Sequence, residues 1–329
     1  MSLALAVLLS LQAQAVDKPG QVLAKKTADP DRDWALYIPR SFKPGGALVI
    51  SSHGRDGRGD GEIRQWTDLA EKNGFIVACP DYSMASGRPG TFEEDEKVTL
   101  DVYKYCTEKF PIDRKAVMIS GFSGGGMPTY HHGSRHPDLF PYWGARSANW
   151  YTSVMPDDEQ LRKCSGVALY IYYGSKDHEL ILDQAPKAQE AFKGAIKDIK
   201  FEQIEGMGHE SRAALCAQWF VDKVAEAKKR EAMMAPALKA MKAAEEHLAK
   251  DRLAQAVSEL KKADAHMRKF QLGDDAEKRI EALADAQIEK ASAAAKEDGL
   301  KLLEAAKKAF AGTKAEKRIA EKLKELEGR

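Results

Sequence analysis

A short apolar run that ends in a burst of glycines constrains this chain more than any other feature. Ala116-Val117-Met118-Ile119-Ser120 leads directly into Gly121-Phe122-Ser123-Gly124-Gly125-Gly126. The run has the near-continuous hydrophobicity of a strand buried on both faces of a parallel sheet, and the residues after it are compatible with a helix. A strand that turns at once into a helix must pass through a sharp, strained bend. Gly121-x-Ser123-x-Gly125 places small residues on both sides of one hydroxyl, where any Cβ would collide with the neighbouring strand and helix. Such a bend presents Ser123 at the C-terminal edge of a sheet, beside a helix start that favours negative charge.

The surrounding sequence repeats the strand and helix alternation. Trp34–Ile38 and Ala47–Ser51 are β-rich runs separated by the turn Lys43-Pro44-Gly45-Gly46. Gly74–Cys79 and Val167–Tyr173 are further buried-strand runs, and Ile199–Ile204 is a weaker one. The clearest helix starts at Thr91, where Glu94 completes a capping box, and carries Val98, Leu100, Val102 and Tyr105. This order predicts an α/β fold with a mainly parallel sheet.

A serine nucleophile needs a base, and the base needs an orienting group. In this arrangement the partners follow in the order Ser, Asp or Glu, then His. Gly174-Ser175-Lys176-Asp177 follows one strand, and Gly206-Met207-Gly208-His209 follows the next, so the expected set is Ser123, Asp177 and His209. Glu179 and Asp183 are the alternatives to Asp177, and His178 is the competitor for the base. His131, His132 and His136 read as packing or surface residues behind the bend, and His247 and His266 as solvated. Two N–H donors must meet a developing oxyanion. The backbone of Gly124 supplies one, and the loop Ser52-His53-Gly54-Arg55-Asp56-Gly57 the other, from Arg55 first and Gly54 second. His53 is read as orienting that loop. Trp150 and Tyr151, after a strand end, are candidates for an aromatic pocket or for core packing.

Several stretches together carry a resemblance. They are Trp34-Ala35-Leu36-Tyr37-Ile38-Pro39, Val49–Gly54, Ile112-Asp113-Arg114 leading to Gly121–Gly126, and His136-Pro137-Asp138-Leu139-Phe140. The pattern, over roughly residues 31–222, resembles the α/β-hydrolase superfamily, and within it the secreted polyhydroxybutyrate depolymerases and feruloyl or acetylxylan esterases. The resemblance implies a serine carboxylic-ester hydrolase without metal or organic cofactor, with its triad on Ser123, Asp177 and His209. The substrate is then a small-molecule or polymeric ester. A peptidase of the same superfamily would use the same residues, and a binding or scaffold protein with a vestigial hydrolase domain is the alternative of another class. Pro128 sits early in the helix after the bend, tolerable only in its first turn. The short pieces between strands imply an open site.

Composition divides the 329 residues in two. All five tryptophans and all four cysteines precede residue 220, whereas beyond 225 only Phe270 and Phe310 are aromatic. The expected organisation is a linker over 16–30, an α/β-hydrolase domain over 31–225 and an all-α domain over 226–329. That tail is rich in Ala, Lys, Glu and Leu, with helices expected near Ala235–Lys250 and Leu253–Arg268 and after Asp274, Asp298 and Thr313. A helical repeat or bundle, a coiled-coil-like arm and partial disorder all fit it, and it is the candidate surface for a protein or surface partner. The 51 Lys and Arg nearly cancel the 50 Asp and Glu, which argues against nucleic-acid binding. The cysteines lack zinc-site spacing. Leu3–Leu11 is apolar but too short to span a bilayer, and Ala13-Gln14-Ala15 follows it as a cleavage pattern. Residues 1–15 therefore read as an export signal, although no Lys or Arg precedes the run. Export would allow Cys79, Cys106, Cys164 and Cys216 to oxidise in any of three pairings.

Overall fold

A computed structural model describes residues 17–28, 30–83 and 90–328. The expected export signal over 1–15 lies outside the described residues. Among them, eight strands form one sheet: β1 (Val22–Lys26), β2 (Asp33–Tyr37), β3 (Gly46–Ser52), β4 (Ile76–Pro80), β5 (Ile112–Phe122), β6 (Tyr142–Arg146), β7 (Ala168–Gly174) and β8 (Asp198–Ile204). Their order across the sheet is β1-β2-β4-β3-β5-β6-β7-β8. β1 and β2 pair antiparallel at one edge, β2 meets β4 antiparallel, and every pairing from β4 to β8 is parallel.

Side-chain alternation along the strands builds a core on each face. Leu48 and Ile50 of β3, Val117 and Ile119 of β5, and Leu169 and Ile171 of β7 point to one side. There they meet α2 (Phe92–Lys109), α3 (Gly126–Arg135) and α5 (Glu179–Phe192) through Val98, Val102, Tyr130, Ile181 and Phe192, and the short α4 (Asp158–Lys163) lies between β6 and β7 in the chain. Val49, Met118 and Tyr170 point to the other side, against Ala70 of α1 (Thr67–Asn73), Trp66, and Cys216 and Phe220 of α6 (Ala213–Leu248). Thr91 caps α2: its hydroxyl accepts the Glu94 N–H at 3.1 Å, and the Glu94 carboxylate accepts the Thr91 N–H at 3.2 Å.

One strand escapes the sequence reading, and another is read only as a strand end before Trp150. The segment 16–30, expected as a linker, contributes β1. An edge strand with Val22 exposed and lysines at 25 and 26 needs no apolar face, so it leaves only the three-residue apolar run Val22-Leu23-Ala24 to read. β6 is hidden by Gly144 and Arg146; a Cβ at Gly144 would sit 2.2 Å from Cys216 Sγ. The cysteine pairings are corrected as well. All four cysteines are free and buried, Cys106 and Cys164 on one face of the sheet and Cys79 and Cys216 on the other. Burial pushes the Cys164 and Cys216 thiols up to about 11.

The chain divides into two compact units between Val224 and Ala225. One helix, α6, runs through that point. The sequence reading starts a helix near Ala235, but the Ala-, Lys- and Glu-rich residues before it keep the helix going and carry Pro236 inside it. The second unit adds α7 (Leu253–Phe270), α8 (Asp275–Ala293), α9 (Lys296–Ala309) and α10 (Ala315–Glu327). Its core is a stripe of small and aliphatic residues, including Val257, Leu260, Ile280, Leu303 and Ile319. His266 is not solvated: a ring nitrogen lies 2.7 Å from the Met233 carbonyl. His247 is half-buried, with Nδ1 shielded. No helix among the described residues is long and apolar enough to cross a membrane.

Two outcomes are expected. Burial alone would raise the Glu96 pKa, but hydrogen bonds from His136 and Arg135 outweigh it and hold the carboxyl at about 2, against 4.5 ordinarily. A depressed carboxyl pKa contributes stability that is present above the ordinary value and lost as pH falls toward the folded one. The melting-temperature gap between wild type and Glu96→Gln should therefore be widest above pH 5 and close toward pH 2. A chain ending after Lys229 keeps Trp219, Phe220 and Val224 in the first core, and it should still melt cooperatively within a few degrees of the full chain.

Candidate active site

The bend after β5 is built as the glycine spacing predicts. Phe122 ends the strand in extended backbone, Ser123 has φ +52°, and a single 3₁₀ turn, Ser123–Gly125, leads into α3. A left-handed backbone is strained for a serine. The neighbours show why it holds. A Cβ at Gly121 would lie 1.9 Å from the Gly125 carbonyl oxygen. At Gly125 it would lie 2.7 Å from the carbonyl oxygens of Ser52 and His53, and at Gly126 2.5 Å from that of Asn149. The crossing is further pinned by the Asn149 N–H donating to the Ser123 carbonyl at 2.8 Å, and by the Thr129 hydroxyl donating to the Gly125 carbonyl at 2.8 Å. Pro128 falls in the first turn of α3, where its missing N–H costs nothing.

The loops after β7 and β8 bring Asp177 and His209 to Ser123. His209 Nε2 is 2.9 Å from Ser123 Oγ, and His209 Nδ1 is 2.7 Å from Asp177 Oδ1. A neutral imidazole protonated at Nδ1 satisfies both contacts. The Asp177 side chain is fully buried, and Oδ1 also accepts the His178 N–H at 2.8 Å. The imidazole lies between two rings, Phe122 at 4.8 Å and His178 at 4.4 Å between centroids. His178 thus lies tilted against the histidine that meets Ser123 and does not take its place. Asp183 pairs with Lys187 along α5, and Glu179 is exposed in the first turn of that helix.

The loop after β3 turns at Gly54–Gly57, closed by the Gly57 N–H on the Gly54 carbonyl at 3.1 Å, with Asp56 at φ +59°. Gly54 and Arg55 face Ser123 and Gly124 across one open cavity of about 420 Å³, which Met127, Tyr151 and Leu180 also line. His53 anchors that loop. Its Nδ1 lies 2.8 Å from the Gly54 carbonyl and its Nε2 accepts the Tyr82 N–H at 3.1 Å. The aromatic pair is split. Tyr151 stands exposed at the cavity, whereas Trp150 is buried in the core with its N–H on Gln184 and its indole N–H on Met155 Sδ. Trp150 is therefore a core residue and does not line the cavity. His131 and His132 are buried packing residues, as read; burial holds His132 down at about 3. No cluster among the described residues could hold a metal ion.

Residues 61–242, more than half of the chain, match the dienelactone hydrolase family. The chain belongs to that family. It is thus a hydrolase with the α/β-hydrolase fold and an added helical unit. A bifunctional acetylxylan esterase/xylanase of Neocallimastix patriciarum is 33% identical over 117 residues, which is 32% of this chain and only 16% of that protein. Among solved structures, a ferulic acid esterase aligns with a TM-score of 0.50 at 18% identity, over 61% of this chain and 98% of its own. S-formylglutathione hydrolase from Staphylococcus aureus aligns with a TM-score of 0.50 at 16% identity, again over 61% and 98%. At these identities the structures share the fold.

Gly121→Ala should be poorly tolerated in this dienelactone hydrolase relative, since backbone and not a movable side chain blocks the new methyl. A loss of about 2 kcal/mol or more in urea unfolding is expected, against a near-neutral Gly61→Ala, whose Cβ meets nothing.

Proposed function

We propose that the protein is a serine hydrolase that cleaves carboxylic esters through an acyl-enzyme intermediate. The observation that carries the reading is the continuous contact from Asp177 through His209 to a Ser123 held in a left-handed bend. Ser123 Oγ attacks the ester carbonyl as His209 Nε2 takes its proton. The Asp177 carboxylate holds the imidazole in the Nδ1–H tautomer and balances the imidazolium that forms. The new oxyanion meets the N–H groups of Gly124 and Arg55, whose residues line the same cavity. Gly124 lies in the first turn after Ser123, where amide N–H groups have no partner within the helix. The imidazolium then protonates the departing alcohol oxygen. Water enters, gives a proton to His209 and attacks the acyl carbon, and collapse of that adduct releases the acid and restores the Ser123 hydroxyl. The Phe122 and His178 rings keep the imidazole from rotating between these steps.

An ester substrate is supported by the acetylxylan esterase named among the chain's relatives. The openness of the cavity, with Tyr151 and Leu180 exposed at it, suits small esters and esters carried on a polymer alike. Export is part of the same proposal, supported by the apolar Leu3–Leu11 run and Ala13-Gln14-Ala15. The helical unit, residues 226–329, holds none of these groups and is assigned to contact with a surface or protein partner.

Ser123→Ala should fold normally and lower kcat on a soluble aryl ester by at least about 10³-fold. Fluorophosphonate labelling of the wild type should map to Ser123 and vanish in that variant. Asp177→Asn should also fold and lose orders of magnitude in kcat. Full turnover by correctly folded Ser123→Ala would overturn the assignment.

A further inference from the structure

The proposed mechanism leaves the fully buried charge of Arg146 unused. Arg146, the last residue of β6, has no exposed surface, yet its guanidinium is placed where five groups converge. Nη2 donates to Glu62 Oε1 at 2.5 Å and to Ser51 Oγ at 2.8 Å, and Nε donates to Ser120 Oγ at 3.0 Å. Nη1 donates to Ser211 Oγ, and the guanidinium carbon sits 5.2 Å from the Trp66 ring centroid. Burial alone would lower the Arg146 pKa, but the Glu62 carboxylate more than offsets that, so the cation persists. Burying an ion pair is rarely a net gain in stability. Its placement calls for another explanation.

The position of Ser211 supplies one. It lies two residues beyond His209, in the loop that joins β8 to α6. Before His209 the loop is tied to the Asp177 loop by backbone contacts: the Lys176 N–H donates to the Met207 carbonyl at 2.9 Å, and Met207 is fully buried. After His209 the ties are side chains from the sheet. Arg146 reaches the Ser211 hydroxyl, and the Tyr172 hydroxyl lies 2.6 Å from the Ser211 carbonyl and 2.9 Å from that of Arg212. Among the described residues, Arg146 binds β3 and β5 residues just behind the oxyanion loop and the serine bend while also holding the histidine loop.

We infer that Arg146, locked by Glu62, is a positioning residue that fixes the His209 imidazole on Ser123 through the Ser211 hydroxyl. The inference rests on the serine-hydrolase reading. Displacing a reacting group by a fraction of an ångström lowers rate more than it weakens binding.

Ser211→Ala removes the strap and leaves the Arg146–Glu62 pair in place. We expect kcat on an aryl ester to fall about 10-fold or more, with KM within twofold and the melting temperature within about 2 °C. Fluorophosphonate labelling of Ser123 should slow by the same factor. Ser211→Thr, which restores a hydroxyl, should recover most of the rate. Arg146→Lys keeps a charge for Glu62 but cannot reach Ser51, Ser120 and Ser211 together, so its folded fraction should show the same kcat loss. A Ser211→Ala enzyme labelled and turning over at the wild-type rate overturns the inference alone. A wild type that neither takes the label nor hydrolyses any ester overturns the hydrolase reading and the inference with it.

Discussion

Three glycines without room for a single carbon hold this molecule's site in place. At positions 121, 125 and 126 a Cβ would run into backbone oxygens of the bend itself, of the β3 loop or of the segment after β6. Backbone cannot rotate away as a side chain can, so the crossing of strand, loop and helix has one packing. That packing is what keeps Ser123 at a positive φ, a conformation a serine would leave if its neighbours allowed it. The Asp177 and His209 loops then need only to arrive, and the parallel strands β7 and β8 deliver both to the same edge of the sheet.

The parts of this design with local signatures were legible in the sequence. The glycine spacing, the capping box at Thr91 and the loop positions of Asp177 and His209 are written over a few residues each. The parts that depend on distant partners were not. Arg146 interrupts an otherwise apolar strand, and nothing beside it in the sequence names a partner; only the fold shows Glu62 and three serines around it. Trp150 and Tyr151 are neighbours with the same composition signal, yet one faces the core and the other the cavity; the Trp150 N–H and the Asn149 side chain are held by Gln184, far along the chain, a contact no local pattern announces. β1 has only the three-residue apolar run Val22-Leu23-Ala24 because an edge strand with one neighbour has little to bury.

The helical unit was harder to read for a different reason. Its contacts are made by small residues, so the period of its hydrophobic stripe is carried by alanine, which is also abundant on its surface. A repeat becomes visible once the helices are known. Ala276-Glu277-Lys278-Arg279-Ile280 opens α8 and Ala315-Glu316-Lys317-Arg318-Ile319 opens α10. In each, the isoleucine is buried and the arginine reaches back to acids on an earlier helix, Arg279 to Glu245 and Arg318 to Asp285. Two helical hairpins of the same plan are stacked, which is how short amphipathic helices that cannot bury their own faces become stable together.

The four cysteines, finally, do more by what they lack than by any bond. Each is enclosed, none is joined in a disulfide, and the sheet stands between Cys79 and Cys216 on one side and Cys106 and Cys164 on the other. Burial keeps these thiols protonated, so neither glutathione nor an oxidant has a thiolate to meet while the native state lasts. The folded protein therefore holds no disulfide for a reductant to open, and both faces of the sheet are held by packing alone.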